Sequence, residues 1–182
     1  VSIKTGQACL KAIKNLGYKV KIFDPKLKSF FYINKIKPDI IFNALHGEEG
    51  EDGYAQSFFE YLRIPYTHSG IISSMKAMNK IVSKKIFLKN KILTPNFTII
   101  EKSTYKSSSL YSLLKRGRLK FPIVVKPNNE GSSIGVKICK NVKHLKKDVR
   151  KLFYFYDTLI IENFIGGQEI QVAVLNNKAI GA

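Results

Sequence analysis

Apolar and polar positions along this chain follow two periods, one near 3.6 residues and one near 2. Residues 2–16 place Ile3, Ala8, Leu10, Ala12, Ile13 and Leu16 on a helical stripe, with Ser2 where a cap belongs and Gly17 where a helix ends. Residues 19–23 and 39–45 read as strands, the second through the apolar run Ile40-Ile41-Phe42 of a strand covered on both faces. A helix is predicted over 54–63, packing Phe58, Phe59 and Leu62. A longer one is predicted from 71 to about 89, turning Met75, Met78, Ile81, Val82, Ile86 and Phe87 inward. Strands follow at 97–100, 121–125, 136–139 and 159–165, with helices from Ser107 through Leu114 and over 141–153. Residues 169–175 read as a strand, Asn176-Asn177 as a turn, and the chain then returns. Strands alternating with helices predict an α/β fold built on a parallel sheet with right-handed crossovers, whose ligands sit at the carboxyl ends of the strands.

Chemistry gathers at three such ends. The apolar run Ile123-Val124-Val125 delivers Lys126 to the edge of a core, where an ammonium group needs an anionic partner. Pro127 keeps Lys126 extended, and Gly131 and Gly135 bracket Ser132 and Ser133, a loop able to offer backbone N–H groups and hydroxyls to phosphate oxygens. It matches neither a Walker A loop nor a GxGxxG fingerprint, and alone it reads as an ordinary hairpin more readily than as a phosphate cradle. After residues 39–45 comes His46-Gly47-Glu48-Glu49-Gly50-Glu51-Asp52-Gly53, the natural place for a substrate site or, more plainly, an acidic turn that opens a helix. The strand at 159–165 ends in Glu162, with Glu169 seven residues later. These carboxylates could receive an adenine amino group and ribose hydroxyls, while the backbone of Asn163, Phe164 and Ile165 offers an edge to a base. Taken alone, Glu162 is better read as a strand-end acid paired with a lysine, and Lys80 as an exposed helix lysine.

Charge and cysteine content narrow the classes. A net charge of +18 invites nucleic acid or an anionic membrane, but only four of the 31 basic residues are Arg and the lysines are spread over nearly every segment. That distribution describes a solvated surface, so neither nucleic acid nor membrane is expected as a partner. Cys9 and Cys139 form no CxxC pair, which excludes a zinc framework and fits a reducing, cytoplasmic compartment.

Four motifs in this order resemble the D-alanine–D-alanine ligases of the ATP-grasp superfamily. They are His46-Gly47-xx-Gly50-Glu51-Asp52-Gly53, Tyr66-Thr67-x-Ser69-Gly70, Lys126-Pro127-xx-Glu130-Gly131-Ser132-Ser133-x-Gly135, and Ile161-Glu162 followed by Gly166-xx-Glu169. The resemblance implies a Rossmann-like N-terminal (pre-ATP-grasp) domain over 1–68, an ATP-grasp central subdomain over 69–162, and the start of a third subdomain over 163–182. It implies ATP and magnesium as cofactors and D-alanine as substrate, joined into the dipeptide used in peptidoglycan and cell wall synthesis; a homodimer is compatible with it.

By the same resemblance Lys80 and Lys126 contact the ATP phosphates beneath a loop of Glu130, Gly131, Ser132 and Ser133. Glu162, Asn163, Phe164 and Ile165 hold adenine, and Glu169 the ribose. His46 lies by the first D-alanine, which Ser132 helps to position. Asn79, His68 and Asn163 depart from the pattern, standing where an acid, a glycine and a lysine are common. Because the chain opens at Val1 directly into a helix and stops at Ala182 within a returning strand, elements are expected to be missing at both ends, magnesium ligands and lid among them. The 182 residues alone are therefore expected to show no ligase turnover.

Overall fold

The computed structural model describes residues 2–181. Helix α1 (Ser2–Asn15) opens it and closes at Gly17, whose φ of 85° lets its N–H reach the Lys14 carbonyl at 2.9 Å. None of its residues is fully buried: of the predicted stripe Leu10 and Ile13 are half-buried, while Ile3, Ala8, Ala12 and Leu16 are exposed. A short helix α2 (Ile33–Ile36) and α3 (Tyr54–Tyr61) enclose a small aromatic core of Phe30, Ile33, Ala55 and Phe59, with Phe58 and Leu62 packed against it. The strands expected at 19–23 and 39–45 are not formed: among the described residues this unit holds one parallel bridge, Ile41 to Tyr66. An extended segment becomes a strand only with a neighbour to complete its ladder, and here only residues 65–67 supply one, through Ile41 N–H to Pro65 O and Thr67 N–H to Ile41 O.

The helix predicted over 71–89 is two helices, α4 (Ile71–Met78) and α5 (Lys80–Lys89). Asn79 breaks it, with an extended ψ of 99° and a side-chain oxygen that accepts from Val82 N–H at 3.0 Å. The turn alters what faces inward. Met75, Ile86 and Phe87 are exposed, while Ser74 and Lys84 are buried.

The main sheet holds β1 (Phe97–Glu101), β2 (Ile123–Pro127), β3 (Lys137–Cys139) and β4 (Thr158–Asn163), in the order β1-β4-β2-β3, antiparallel at every pairing. The parallel pairing expected from the alternation of the first elements is confined, among the described residues, to the Ile41–Tyr66 bridge, and this sheet is antiparallel. Strands β1 and β2 do run the same way, linked through α6 (Leu110–Arg116), but β4 inserts between them and pairs antiparallel with both. Helices α6 and α7 (Val142–Leu152) cover one face of the sheet, closing a core of Leu110, Leu114, Ile123, Val125, Leu145, Val149, Leu159 and Ile161. Asn141 caps α7 by accepting from His144 N–H at 2.9 Å. Last comes the hairpin β5 (Ala173–Leu175) and β6 (Lys178–Gly181), joined by Asn176 and Asn177 at φ of 48° and 60°, the left-handed pair of a tight hairpin turn.

The same core fixes the chemistry of the cysteines. Cys139 is fully buried, and burial, then the charge of Asp148 and a bond to its carboxylate at 3.6 Å, push its thiol up to about 12. Cys9 is half-buried on α1. One thiol per chain is accordingly expected to react with an aromatic disulfide reagent in the native protein and two after unfolding; two fast native thiols would show that the sheet–helix core opens readily.

Candidate nucleotide site

Alternation along β2 and β4 sorts side chains between the two faces of the sheet. Ile123, Val125, Leu159 and Ile161 enter the core under α6 and α7, so Val124, Lys126, Ile160 and Glu162 occupy the other face, where Phe97 and Ile99 of β1 join them through the pairs Phe97–Glu162 and Ile99–Ile160. Helix α5 brings Lys80 and Lys84 to this second face, one turn apart.

Glu162 is the hub. Its carboxylate is 9% exposed and bridges two lysines, Oε1 lying 2.5 Å from Lys126 Nζ and Oε2 2.8 Å from Lys84 Nζ. The Lys84 ammonium also donates to Thr94 Oγ1 at 2.7 Å and lies 4.9 Å from the centre of the Phe97 ring. Lys80 has only carbonyls as partners, donating to Glu130 O and, at 3.4 Å, to Asn128 O. Burial first, and then the charge of Lys126, push the Lys80 ammonium below its ordinary pKa, with Glu130 and Glu162 opposing. Lys84 and Lys126 share one carboxylate and Lys80 forms no ion pair among the described residues, so this face is short of negative charge where two ammonium groups stand side by side. A polyphosphate would supply it.

The walls are held by Asn128, which follows β2 and is 8% exposed. Its carbonyl accepts from Lys80 N–H at 3.2 Å, its side-chain oxygen accepts from Ile81 N–H at 3.0 Å, and its own N–H donates to Thr158 O. With Asn79 bonding Val82 N–H, the first amides of α5 are already satisfied, so the helix end offers no free donors and the charge on this face is that of side chains. Past Asn128, Ser132 and Ser133 are exposed and left-handed, with φ of 47° and 58°. Gly135, at φ 72°, lies so close to Pro127 that a Cβ there would come within 2.7 Å of its Cγ, which anchors the loop to the strand end.

Across the loop stands the acidic segment. A Cβ on Gly131 would be 3.9 Å from Glu51 Oε2, so the two motifs face each other. Glu51 accepts from Gly47 N–H at 2.7 Å, Asp52 accepts from Glu49 and Tyr54 N–H, and His46 reaches Thr5 Oγ1 at 3.0 Å through Nε2 and Glu51 Oε1 at 3.6 Å through Nδ1. Two buried amides, Asn43 and Gln56, both donate to the Gly50 carbonyl at 3.0 Å. The Tyr66-Thr67 motif is a brace: Thr67 Oγ1 accepts from Asn43 N–H, and Tyr66 O–H donates to Glu60 at 2.7 Å.

Lys80, Lys126, Glu130, Gly131 and Glu162 are thus brought to one face, with Ser132, Ser133 and His46 at its rim. The rest of the predicted base edge is partly occupied. Asn163 N–H donates to Asn96 O and Phe164 N–H to Pro122 O, while Asn163 Oδ1 accepts from Lys120 N–H. Ile165 is exposed, and Glu169 lies in the exposed stretch 164–172 with no hydrogen bond or ion pair among the described residues. Sequence reasoning missed Lys84, which no local signal sets apart from the lysines around it, and Asn128, whose signal was an amide directly after a strand-ending Lys-Pro. No group of three or more His, Cys, Asp or Glu side chains among the described residues could hold a metal, so magnesium has no fitted site in them.

This antiparallel sheet, with lysines gathered on its second face and a Gly/Ser loop after β2, shares its fold with solved structures of the ATP-grasp class. Residues 86–182 match the family model described as the D-ala D-ala ligase C-terminus, and the chain belongs to that family. Over its full length it is 50% identical to a D-alanine–D-alanine ligase of Pelagibacter ubique and 41% identical to one of Rickettsia massiliae, covering 59% and 54% of those proteins. It is also similar to a solved D-alanine–D-alanine ligase of Bacillus anthracis complexed with ATP, at 33% identity and a TM-score of 0.76 over 91% of this chain and 54% of that one. The chain therefore spans about half the length of the curated relatives it matches. No helix among the described residues is long and apolar enough to cross a membrane.

Proposed function

We propose that this chain supplies the ATP site and part of the first-substrate site of a D-alanine–D-alanine ligase acting in peptidoglycan synthesis. The observation that carries the reading is the open sheet face on which Lys80 and Lys126 stand together, with one carboxylate, Glu162, shared between Lys126 and Lys84. In the reaction the carboxylate of one D-alanine takes the γ-phosphoryl group of ATP to give an acyl phosphate, and the amine of a second displaces phosphate to form the dipeptide. Lys80 and Lys126 neutralise phosphate charge and fix the chain of phosphates in place. The exposed Ser132-Ser133 turn closes over them, and the His46 loop, facing Gly131, holds the first amino acid beside the transferred group. Glu169, exposed after β4, meets the ribose, and Ile165 offers the remaining amide of the base edge.

ATP-dependent release of ADP by the intact protein, measured with D-alanine, L-alanine and D-lactate in parallel, tests the reading. D-alanine alone should drive turnover and yield the dipeptide by mass. Release of ADP that ignores D-alanine, or an ester product with D-lactate, would overturn it.

A further inference from the structure

We propose that Lys84 is a positioning residue: it keeps Glu162 neutralised while Lys126 leaves that carboxylate for a nucleotide phosphate. The inference rests on the ATP-binding reading above and assigns a task to a lysine which that reading does not use.

The three partners of Glu162 differ in freedom. Lys84 is 7% exposed and tied on several sides, by Glu162 Oε2, Thr94 Oγ1, the Pro95 carbonyl at 3.4 Å and the face of Phe97. Lys126 is 20% exposed and touches Glu162 through the other oxygen alone. Lys80 bonds carbonyls and acts on Glu162 only through its charge. Of these, Lys126 is the ammonium group that can turn outward toward an incoming phosphate without first losing a cage of hydrogen bonds. Its departure would strip a buried carboxylate of a counter-ion, and an unpaired buried charge is among the most costly arrangements in a protein. Lys84 removes that cost because its charge lies 2.8 Å from the opposite oxygen and stays there. The carboxylate thus has a permanent cation from the helix and an exchangeable one from the strand, and Lys126 can be parked in the empty site and released into the filled one. A lysine placed only to support packing would not need its ammonium group within 2.8 Å of the same carboxylate that holds Lys126.

Calorimetric titration of the intact wild-type protein, Lys84→Met, Glu162→Gln and the double variant with ATP and magnesium tests this, alongside the KM values for ATP and D-alanine. Lys84→Met should weaken ATP at least about tenfold and raise its KM without moving that of D-alanine, because leaving Glu162 now strands its charge. In the Glu162→Gln background the same substitution should leave ATP affinity within about threefold of Glu162→Gln alone, whatever Glu162 itself gives to the nucleotide, since no charge is left to strand. Unchanged affinity in Lys84→Met, or a double variant at least about tenfold weaker than Glu162→Gln alone, would overturn the proposal. Should Lys84→Met fail to fold, the double variant is compared with Glu162→Gln alone: affinity within about threefold of that variant supports a role exerted through Glu162, and a further loss of tenfold or more removes it. A wild-type protein that binds no ATP would instead overturn the functional reading itself.

Discussion

Lys126→Ala is expected to raise the KM for ATP by about 30- to 1000-fold, the largest kinetic effect of any single side chain on the open sheet face. The estimate is the loss of one charge-assisted phosphate contact, about 2 to 4 kcal/mol. Stability should hardly change. Glu162 keeps its bond to Lys84 when Lys126 is gone, so the substitution leaves no orphaned buried carboxylate, and the 20% exposed Lys126 side chain contributes little to the core. Kinetics at saturating D-alanine, with thermal unfolding of the same samples, separate the two effects. An ATP KM within threefold of wild type would mean that Lys126 is only a partner for Glu162 and that the phosphates lie elsewhere.

How far the residues alone could lead is clear from that pair. The strand-end position of Lys126 and the loop after it were legible because both follow from local pattern: an apolar run, a proline that enforces extension, and glycines that permit left-handed backbone. The Asn176-Asn177 turn and the closing glycine of α1 were legible for the same reason. What escaped depends on residues far apart in sequence. Lys84 and Glu162 are 78 positions apart, and nothing near Lys84 in sequence distinguishes it from the exposed lysines around it. The break at Asn79 needed Asn128, about fifty residues on, to receive the amides of Lys80 and Ile81 that an unbroken helix would have satisfied internally. Likewise the order of β1 and β4 was hidden, because alternating elements reveal the crossover through α6 but not the later strand that inserts beside it. Glu162 could be seen as important, though not as an internal counter-ion for two lysines.

Gly50→Ala should carry the largest cost to stability among the loop glycines, about 3 kcal/mol or more, and should displace His46. A Cβ at this position would lie 2.4 Å from Leu45 Cβ, 2.9 Å from Leu45 C and 3.2 Å from His46 N, so backbone and not a flexible side chain must move. Overpacking of this kind costs about 1 to 3 kcal/mol by itself. Moving Gly50 also strains the bonds that its carbonyl accepts from Asn43 and Gln56, which are 6% and 2% exposed, and each buried amide left without its acceptor adds about 1 to 3 kcal/mol. Gly47→Ala is the control. It meets nothing within 4 Å and carries only the strain of φ 76°, about 1 to 2 kcal/mol. Because His46 leads the loop while Lys126 and Glu162 lie on the sheet and Lys84 on α5, the folded fraction of Gly50→Ala should keep its affinity for ATP and lose it for D-alanine. Chemical denaturation of both glycine variants, with ATP titration at a temperature where each remains folded, makes the comparison. If Gly50→Ala were no less stable than Gly47→Ala, the Asn43–Gln56 clamp would not be what holds the His46 loop against the nucleotide face.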